Sequence, residues 1–117
     1  MSQISPIGVI KVCKNDLHKL IIDKRYEEAL KGIENYKKLR ILFWMSDLNK
    51  KDREILQVHP HGNVNNKMRG VFSTHSPVRP NPIGVTTVDL IKRENNILIV
   101  KGLDAFDETP LIDIKSD

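Results

Sequence analysis

The chain has 117 residues, of which 39% are hydrophobic and 29% charged, and 19 lysine and arginine residues against 15 acidic ones give a net charge of +4. This length predicts one domain spanning residues 1–117, and the basic balance permits a polyanionic partner such as RNA without showing one. No apolar run approaches the roughly 20 residues of a membrane helix and the start lacks a signal-peptide pattern, so we expect a cytoplasmic protein without a membrane partner.

The first two predicted elements are strands. Residues 7–12 and Leu17–Ile22 are rich in β-branched and other apolar side chains, and the sequence CKND between them is typical of a turn. The lone Cys13 has no second cysteine for a disulfide or a CxxC pair, so we interpret it as a small apolar filler.

The next segment, DKRYEEALKGIENY, predicts a short helix that Asp23 caps and Gly32 ends. Its apolar residues recur at i, i+3, i+4 and i+7, which places one stripe against a core. These are Tyr26, Ala29, Leu30 and Ile33.

Residues 39–46 form a nearly continuous apolar run, which predicts a strand buried on both faces or crossing the centre of a sheet. Residues 47–69 then read as a long, mostly irregular connection with one helical turn near residues 51–56. The basic residues before His59 either meet phosphates or form a solvated face. They are Lys50, Lys51 and Arg53.

The second half of the chain predicts four further short strands. They are GVFST (residues 70–74), IGVTTVDLI (83–91), NILIVKGL (96–103) and PLIDIK (110–115). The fold class is therefore mostly β, a small single-domain β-barrel of about seven mainly antiparallel strands with one or two short helices.

Two dense polar clusters are the candidate sites. In THSPVRPNPIG, three prolines hold an extended arm that carries Ser76, Arg79 and Asn81, and this arm either ends a strand or forms a pocket wall. In GLDAFDETPLIDIK, Asp113 and Lys115 share one face of a strand. They either move a proton or form a surface ion pair.

Metal and phosphate-loop chemistry are disfavoured. His59, His61 and His75 lack a compact pattern with a fourth ligand, so we expect no metal site. The chain contains no GxGxxG, GxxxxGK[ST] or GxSxG motif, so a nucleotide-like ligand would be held by a β-scaffold and its loops.

Both clusters resemble a known family. GVFSTHSPVRPNPIGVTTVDL resembles the GVFATRSPxRPNPIG signature of the TrmO-like family, also called TsaA or YaeB, and GLDAFDETPLIDIK resembles its LDxxDGTPVxDIKP segment. SPIGVIKV and EEALKGIENYKKLRILFW are similar to its opening strand and to its helix and central strand. The resemblance implies a small homodimeric β-barrel that binds S-adenosyl-L-methionine and methylates the exocyclic amine of threonylcarbamoyl-adenosine in tRNA.

Position by position, the resemblance assigns roles to residues of this chain. Asp104 would accept from ribose hydroxyls or the cofactor's amino group, Val85 would contact the adenine, and Asp113 or Asp107 would be the general base. The cofactor-binding set is Ser46, His75, Arg79, Asn81, Gly84, Val85, Gly102, Leu103, Asp104 and Thr109, and the catalytic set is Asp107, Asp113 and Lys115.

The chain also departs from the family pattern. A loop containing PRQ between the first two strands is replaced by CKNDLHK, His75 replaces an arginine, and Ser46 with Asp47 replaces a pair led by histidine. These departures support an alternative function, a non-catalytic cofactor-binding or RNA-binding barrel.

Overall fold

The computed structural model describes residues 2–45 and 48–117, so the predicted site residue Ser46 lies outside the described residues. The chain divides into two compact units, residues 1–44 with 85–117 and residues 45–84. We call the first the barrel unit and the second the loop unit. In chain order the strands are β1 (Gly8–Val12), β2 (Leu17–Ile22), β3 (Lys38–Trp44), β4 (Gln57–Val58), β5 (Arg69–Gly70), β6 (Ile83–Glu94), β7 (Ile97–Lys101) and β8 (Thr109–Ser116).

Six of these strands form a closed barrel in the order β1-β2-β7-β6-β3-β8, with β8 pairing back to β1. The pairs with a resolved register are all antiparallel. The predicted mostly β barrel is therefore confirmed. Its interior is filled by side chains that are at most 2% exposed. These are Ile10, Leu20, Ile22, Leu39, Ile41, Val88, Leu98, Val100 and Leu111.

The turns of the barrel depend on a few special backbone positions. Asn15 (φ 63°) and Asp16 (φ 61°) take left-handed conformations between β1 and β2, and Asn95 (φ 55°) does so between β6 and β7. Asn and Asp tolerate that region better than other non-glycine residues, so the sequence chemistry fits these tight hairpins.

The predicted helix after β2 has different geometry. Asp23 does cap it, accepting from the backbone N–H of Arg25, but Lys24–Leu30 and Ile33–Asn35 are 3₁₀ helices. The three-residue period of a 3₁₀ helix leaves Leu30 buried while Ala29 is exposed, so the predicted four-residue stripe is only partly on the core side.

Two strand predictions need correction. Strand β3 is not buried on both faces, because the barrel covers only one: Leu39, Ile41 and Phe43 point inward, while Lys38 and Arg40 are exposed. The other alternative, a place inside the sheet, agrees with the structure, since β3 lies between β6 and β8. The predicted strand at residues 70–74 is mostly absent, since Val71–Ser73 is a 3₁₀ turn after the two-residue β5.

The loop unit contains more structure than the sequence suggested. Helix α1 (Lys50–Glu54) begins with a capping box between Asn49 and Asp52, which matches the predicted helical turn. Strands β4 and β5 pair as a two-stranded sheet. His59 and His61 are not in one extended stretch, because Pro60–Gly62 forms a 3₁₀ turn and His61 has φ 59°.

Candidate ligand site at one end of the barrel

The segment of residues 102–108, which joins β7 to β8, lies at one end of the barrel. It contacts the last residues of β1 and the first residues of β2, because antiparallel pairing brings those strand ends to the same end as the end of β7. We call it the 102–108 segment. Three of the predicted cofactor residues, Gly102, Leu103 and Asp104, are within it.

Burial alternates along this segment. Leu103 (4% exposed) and Ala105 (7%) point into the barrel, whereas Asp104 and Phe106 point outward. An extended chain places every second side chain on one side, so a carboxylate and an aromatic ring face solvent together. Phe106 is 76% exposed, which is unusual for a phenylalanine.

Asp104 is oriented by a neighbouring strand. The Oγ1 of Thr86 in β6 donates a hydrogen bond of 2.8 Å to Asp104 Oδ1. Among the described residues no basic side chain pairs with Asp104, so its second oxygen stays open to a ligand. Val85, which precedes Thr86 in β6, is 45% exposed, and the alternation of side chains along a strand places it on the face opposite to Thr86.

The backbone of the segment is held from inside the barrel. His18 is 5% exposed, and its Nε2 lies 3.3 Å from the carbonyl oxygen of Ala105, to which it donates. Its Nδ1 is buried and has no partner among the described residues. The segment is therefore positioned by His18, a residue that no sequence motif marks as functional.

The end of the segment is equally well held. Asp107 Oδ1 accepts from the Val12 backbone N–H at 2.8 Å, and the Glu108 N–H donates to the Ile10 carbonyl at 2.8 Å. Thr109 is buried, and its hydroxyl donates to the carbonyl of Phe106 at 2.7 Å. Asp107 and Thr109 thus lie with Asp104 at one end of the barrel, and one oxygen of Asp107 is already engaged.

Asp113 and Lys115 lie further along β8, toward the opposite end. The predicted shared face is present, since Lys115 Nζ is 3.6 Å from Asp113 Oδ2. Six residues of strand separate Lys115 from Thr109, roughly 20 Å at about 3.3 Å per residue. The structure therefore does not bring Lys115 together with the 102–108 segment. Asp113 instead lines a cavity of about 460 Å³ with Tyr26 and Tyr36.

The remaining predicted residues belong to the loop unit. The Arg79 guanidinium donates to the carbonyl oxygens of Val71 (3.1 Å), Thr74 (3.3 Å) and Ser76 (3.2 Å), so it fastens the chain before it. Asn81 is exposed, its carbonyl accepting from the Ile83 N–H at 2.7 Å, and Gly84 is buried. His75 is exposed and lines a separate hollow.

Sequence reasoning missed three residues of the barrel-end site, namely His18, Thr86 and Phe106. Thr86 and His18 each contact a residue of the 102–108 segment that is distant in sequence. No local sequence pattern predicts such contacts. Phe106 had a usable signal, the alternation of Leu103, Asp104, Ala105 and Phe106.

Within the described ranges, no group of three His, Cys, Asp or Glu residues is arranged to hold a metal ion. In the same ranges, no helix is long and apolar enough to cross a membrane.

Comparison with known proteins identifies the relatives of this chain. The sequence model of a family described as the tRNA-methyltransferase O N-terminal domain matches residues 8–116. A probable S-adenosyl-L-methionine-binding protein from Methanocaldococcus jannaschii is 40% identical over 116 residues, which cover 98% of this chain and 91% of that protein. A tRNA (adenine(37)-N6)-methyltransferase from Mus musculus is 40% identical over 92 residues, covering 76% of this chain and 20% of that protein.

Comparison with solved structures finds the same family. A crystal structure of TrmO from Pseudomonas aeruginosa matches with a TM-score of 0.75 at 26% identity, covering 100% of this chain and 56% of that one. This chain therefore spans little more than half the length of that solved structure.

Proposed function

Because this chain belongs to the tRNA-methyltransferase O family, we propose that it binds S-adenosyl-L-methionine and transfers its methyl group to an adenine of tRNA. The observation that carries the proposal is the rigid 102–108 segment, which presents the open oxygen of Asp104 beside Thr86. The family match covers this segment.

We assign the adenosyl part of the cofactor to the barrel end. A ribose offers hydroxyl donors, and the Asp104 carboxylate offers the matching acceptor, while Gly102, Leu103 and Val85 supply backbone and apolar surface. Gly102 has φ 95°, a conformation that glycine takes without steric cost. The other residues assigned to the cofactor by resemblance are Ser46, His75, Arg79, Asn81, Gly84 and Thr109.

The bound cofactor supplies an electrophilic methyl group on a sulfonium. An amine that took up this methyl group would release one proton. The chain's task is to align the amine and to accept that proton. Asp107 and Asp113 are the candidate bases, and Lys115 is placed to modulate Asp113. Because it lies at the end that carries Asp104, Asp107 is the base we favour.

The finer features of the proposal follow from the family resemblance. The acceptor would be the exocyclic amine of threonylcarbamoyl-adenosine, and the enzyme would work as a homodimer in the cytoplasm. Size-exclusion chromatography with light scattering tests the dimer, and a mass near that of one 13.4 kDa chain would contradict it.

A second candidate function is a non-catalytic cofactor-binding or RNA-binding barrel. The observation that favours it is the tight turn between β1 and β2, where Leu17 N donates to Lys14 O at 3.2 Å and leaves no loop in place of the family's PRQ segment. Such a module would bind ligand or RNA without methyl transfer.

The first experiment is calorimetric titration with S-adenosyl-L-methionine and S-adenosylhomocysteine, followed by transfer of labelled methyl groups to bulk tRNA. Asp104→Ala should weaken cofactor binding about tenfold or more, because a charged hydrogen-bond acceptor is lost. Glu28→Gln, which removes an exposed carboxylate from the 3₁₀ helix after β2, is the matched control. Unchanged binding in Asp104→Ala would refute the site, and binding without transfer would favour the second function.

A further inference from the structure

The loop unit contains a hollow of its own. Its volume is about 510 Å³, and all of its lining residues lie between positions 58 and 77. The side chains that matter here are His59, His61, Arg69, Ser73, His75 and Ser76. We call it the His75 hollow.

One wall of the His75 hollow is held by hydrogen bonds from behind. Arg79 donates to three carbonyls of residues 71–76, and Thr74 Oγ1 donates to Val71 O at 2.9 Å while accepting from the Ser76 N–H at 3.1 Å. Arg79 and Thr74 are thus committed to the wall. The hydroxyl of Ser73 has no hydrogen-bond partner among the described residues and remains available to a ligand.

The facing wall is held in the same way. His59 donates from Nδ1 to the carbonyl of Asn66 at 2.7 Å, and Asn66 Nδ2 donates to the carbonyl of Pro60 at 2.8 Å. These two bonds close the turn that carries His61. The hollow is therefore shaped before any ligand arrives, which lowers the ordering cost of binding.

The charge of the lining is one-sided. Among the described residues, no aspartate or glutamate lines the hollow and Arg69 has no ion pair. A guanidinium, hydroxyl groups and imidazole rings around one cavity are the donors that bind oxyanions in proteins.

We propose that the His75 hollow binds a phosphate group of the RNA backbone. The inference rests on the proposed function, because tRNA is the substrate that would bring the phosphate. The other available oxyanion is the carboxylate of the cofactor, but its methionyl part also carries an ammonium group. The part of the lining that the structure describes offers no carboxylate to accept from that ammonium, so the phosphate fits the donor set better.

The test is tRNA binding measured across a range of salt concentrations, without cofactor, in the wild-type chain and in Arg69→Gln. The variant should lose about tenfold in affinity, and its plot of log affinity against log salt should be less steep by about 0.9. Ser73→Ala should weaken binding in the same direction by a smaller factor. Circular dichroism reports whether either variant remains folded.

The matched control is Lys67→Gln, which removes one exposed positive charge from the same connection outside the lining. Equal losses in Lys67→Gln and Arg69→Gln would show diffuse attraction and overturn the proposal. Absence of tRNA binding in the wild type would also overturn it.

Cofactor titration separates this inference from the proposed function. Arg69→Gln should bind S-adenosyl-L-methionine with wild-type affinity. Weakened cofactor binding with unchanged tRNA binding would assign the hollow to the cofactor carboxylate and overturn the phosphate site. Normal phosphate-dependent tRNA binding in a chain that binds no cofactor would refute the methyltransferase function alone.

Discussion

At the scale of single residues, Arg79 shows how one side chain of a motif orders the segment that precedes it. The sequence predicts that its arm either ends a strand or forms a pocket wall, and its guanidinium makes three hydrogen bonds to backbone carbonyls of the loop unit. Together with the prolines at 77, 80 and 82, it explains why this arm is extended and yet ordered.

We therefore expect Arg79→Lys to loosen residues 71–76. A lysine ammonium cannot reproduce the planar fork of donors that reaches three carbonyls. Amide hydrogen exchange in this segment should accelerate about tenfold, while the barrel strands keep wild-type protection. Unchanged exchange at residues 71–76 would show that the prolines alone order the arm.

Part of the candidate site was predictable at this scale. The positions of Asp104, Asp107 and Thr109 follow from a linear motif, and the structure places them at one barrel end. Their partners were not predictable, because the pairs Thr86 with Asp104 and His18 with Ala105 depend on strand register. The resemblance groups Lys115 with Asp107 in the catalytic set, but Lys115 lies near the end of β8, whereas Asp107 precedes the start of that strand.

At the scale of elements, the strands were predicted best. Runs of β-branched residues bounded by turn residues gave β2 its observed bounds and β1, β6, β7 and β8 nearly so. The 3₁₀ helices were predicted less well, because spacings of three and four residues over two turns fit both helix types. The prediction of a strand at GVFST was wrong: Val71–Ser73 is a 3₁₀ turn in which only Val71 is buried.

Close approach of β1 and β2 makes Gly8 intolerant of a side chain. A Cβ at this position would lie 2.2 Å from the carbonyl oxygen of Ile21, which is backbone and cannot move aside cheaply. Gly8→Ala should lower the free energy of unfolding by about 3 kcal/mol, measured by urea denaturation. Gly70→Ala, whose Cβ would meet nothing closer than 3.9 Å, should change it little, and a similar loss in both would refute the steric argument.

The ion pair between Lys38 in β3 and Asp89 in β6 predicts a dependence of stability on pH. A hydrogen bond from Lys38 Nζ at 2.7 Å holds the pKa of Asp89 below its usual value of 3.8. A lowered carboxyl pKa stabilises the fold above the unfolded-state value, and this contribution is lost as the pH falls through the folded-state value.

Asp89→Asn should consequently make the free energy of unfolding fall less steeply with pH below about pH 4. Urea denaturation at a series of pH values from about 7 to about 3 measures this. Lys38→Gln should have a similar effect, because it removes the partner of Asp89. A steeper fall of the free energy of unfolding at acid pH in either variant would contradict the assigned pair.

At the scale of the whole molecule, the barrel has one continuous core to which distant parts of the chain contribute. Leu111 of β8 is fully buried, and β8 pairs with both β1 and β3. The barrel class was predictable from the number and alternation of strands. The division into two compact units does not follow from that pattern.

Leu111→Ala should destabilise the barrel unit by about 2–5 kcal/mol, since it leaves a cavity in the core where β8 pairs with both β1 and β3. The fluorescence of Trp44, the single tryptophan, reports unfolding at the end of β3. Ile91→Ala is the control, because Ile91 is 51% exposed and should change stability little. Equal effects of the two changes would contradict the assigned core.

The pairing of the first strand with the last has a consequence for the order in which the barrel assembles. Val9 pairs with Pro110 and Leu39 with Ser116, so β1 and β3 each keep one unpaired edge until β8 has been synthesised. Such edges pair readily with other chains, so a folding intermediate without β8 would expose two of them. Insertion of β8 between β1 and β3 is therefore the step that closes the barrel.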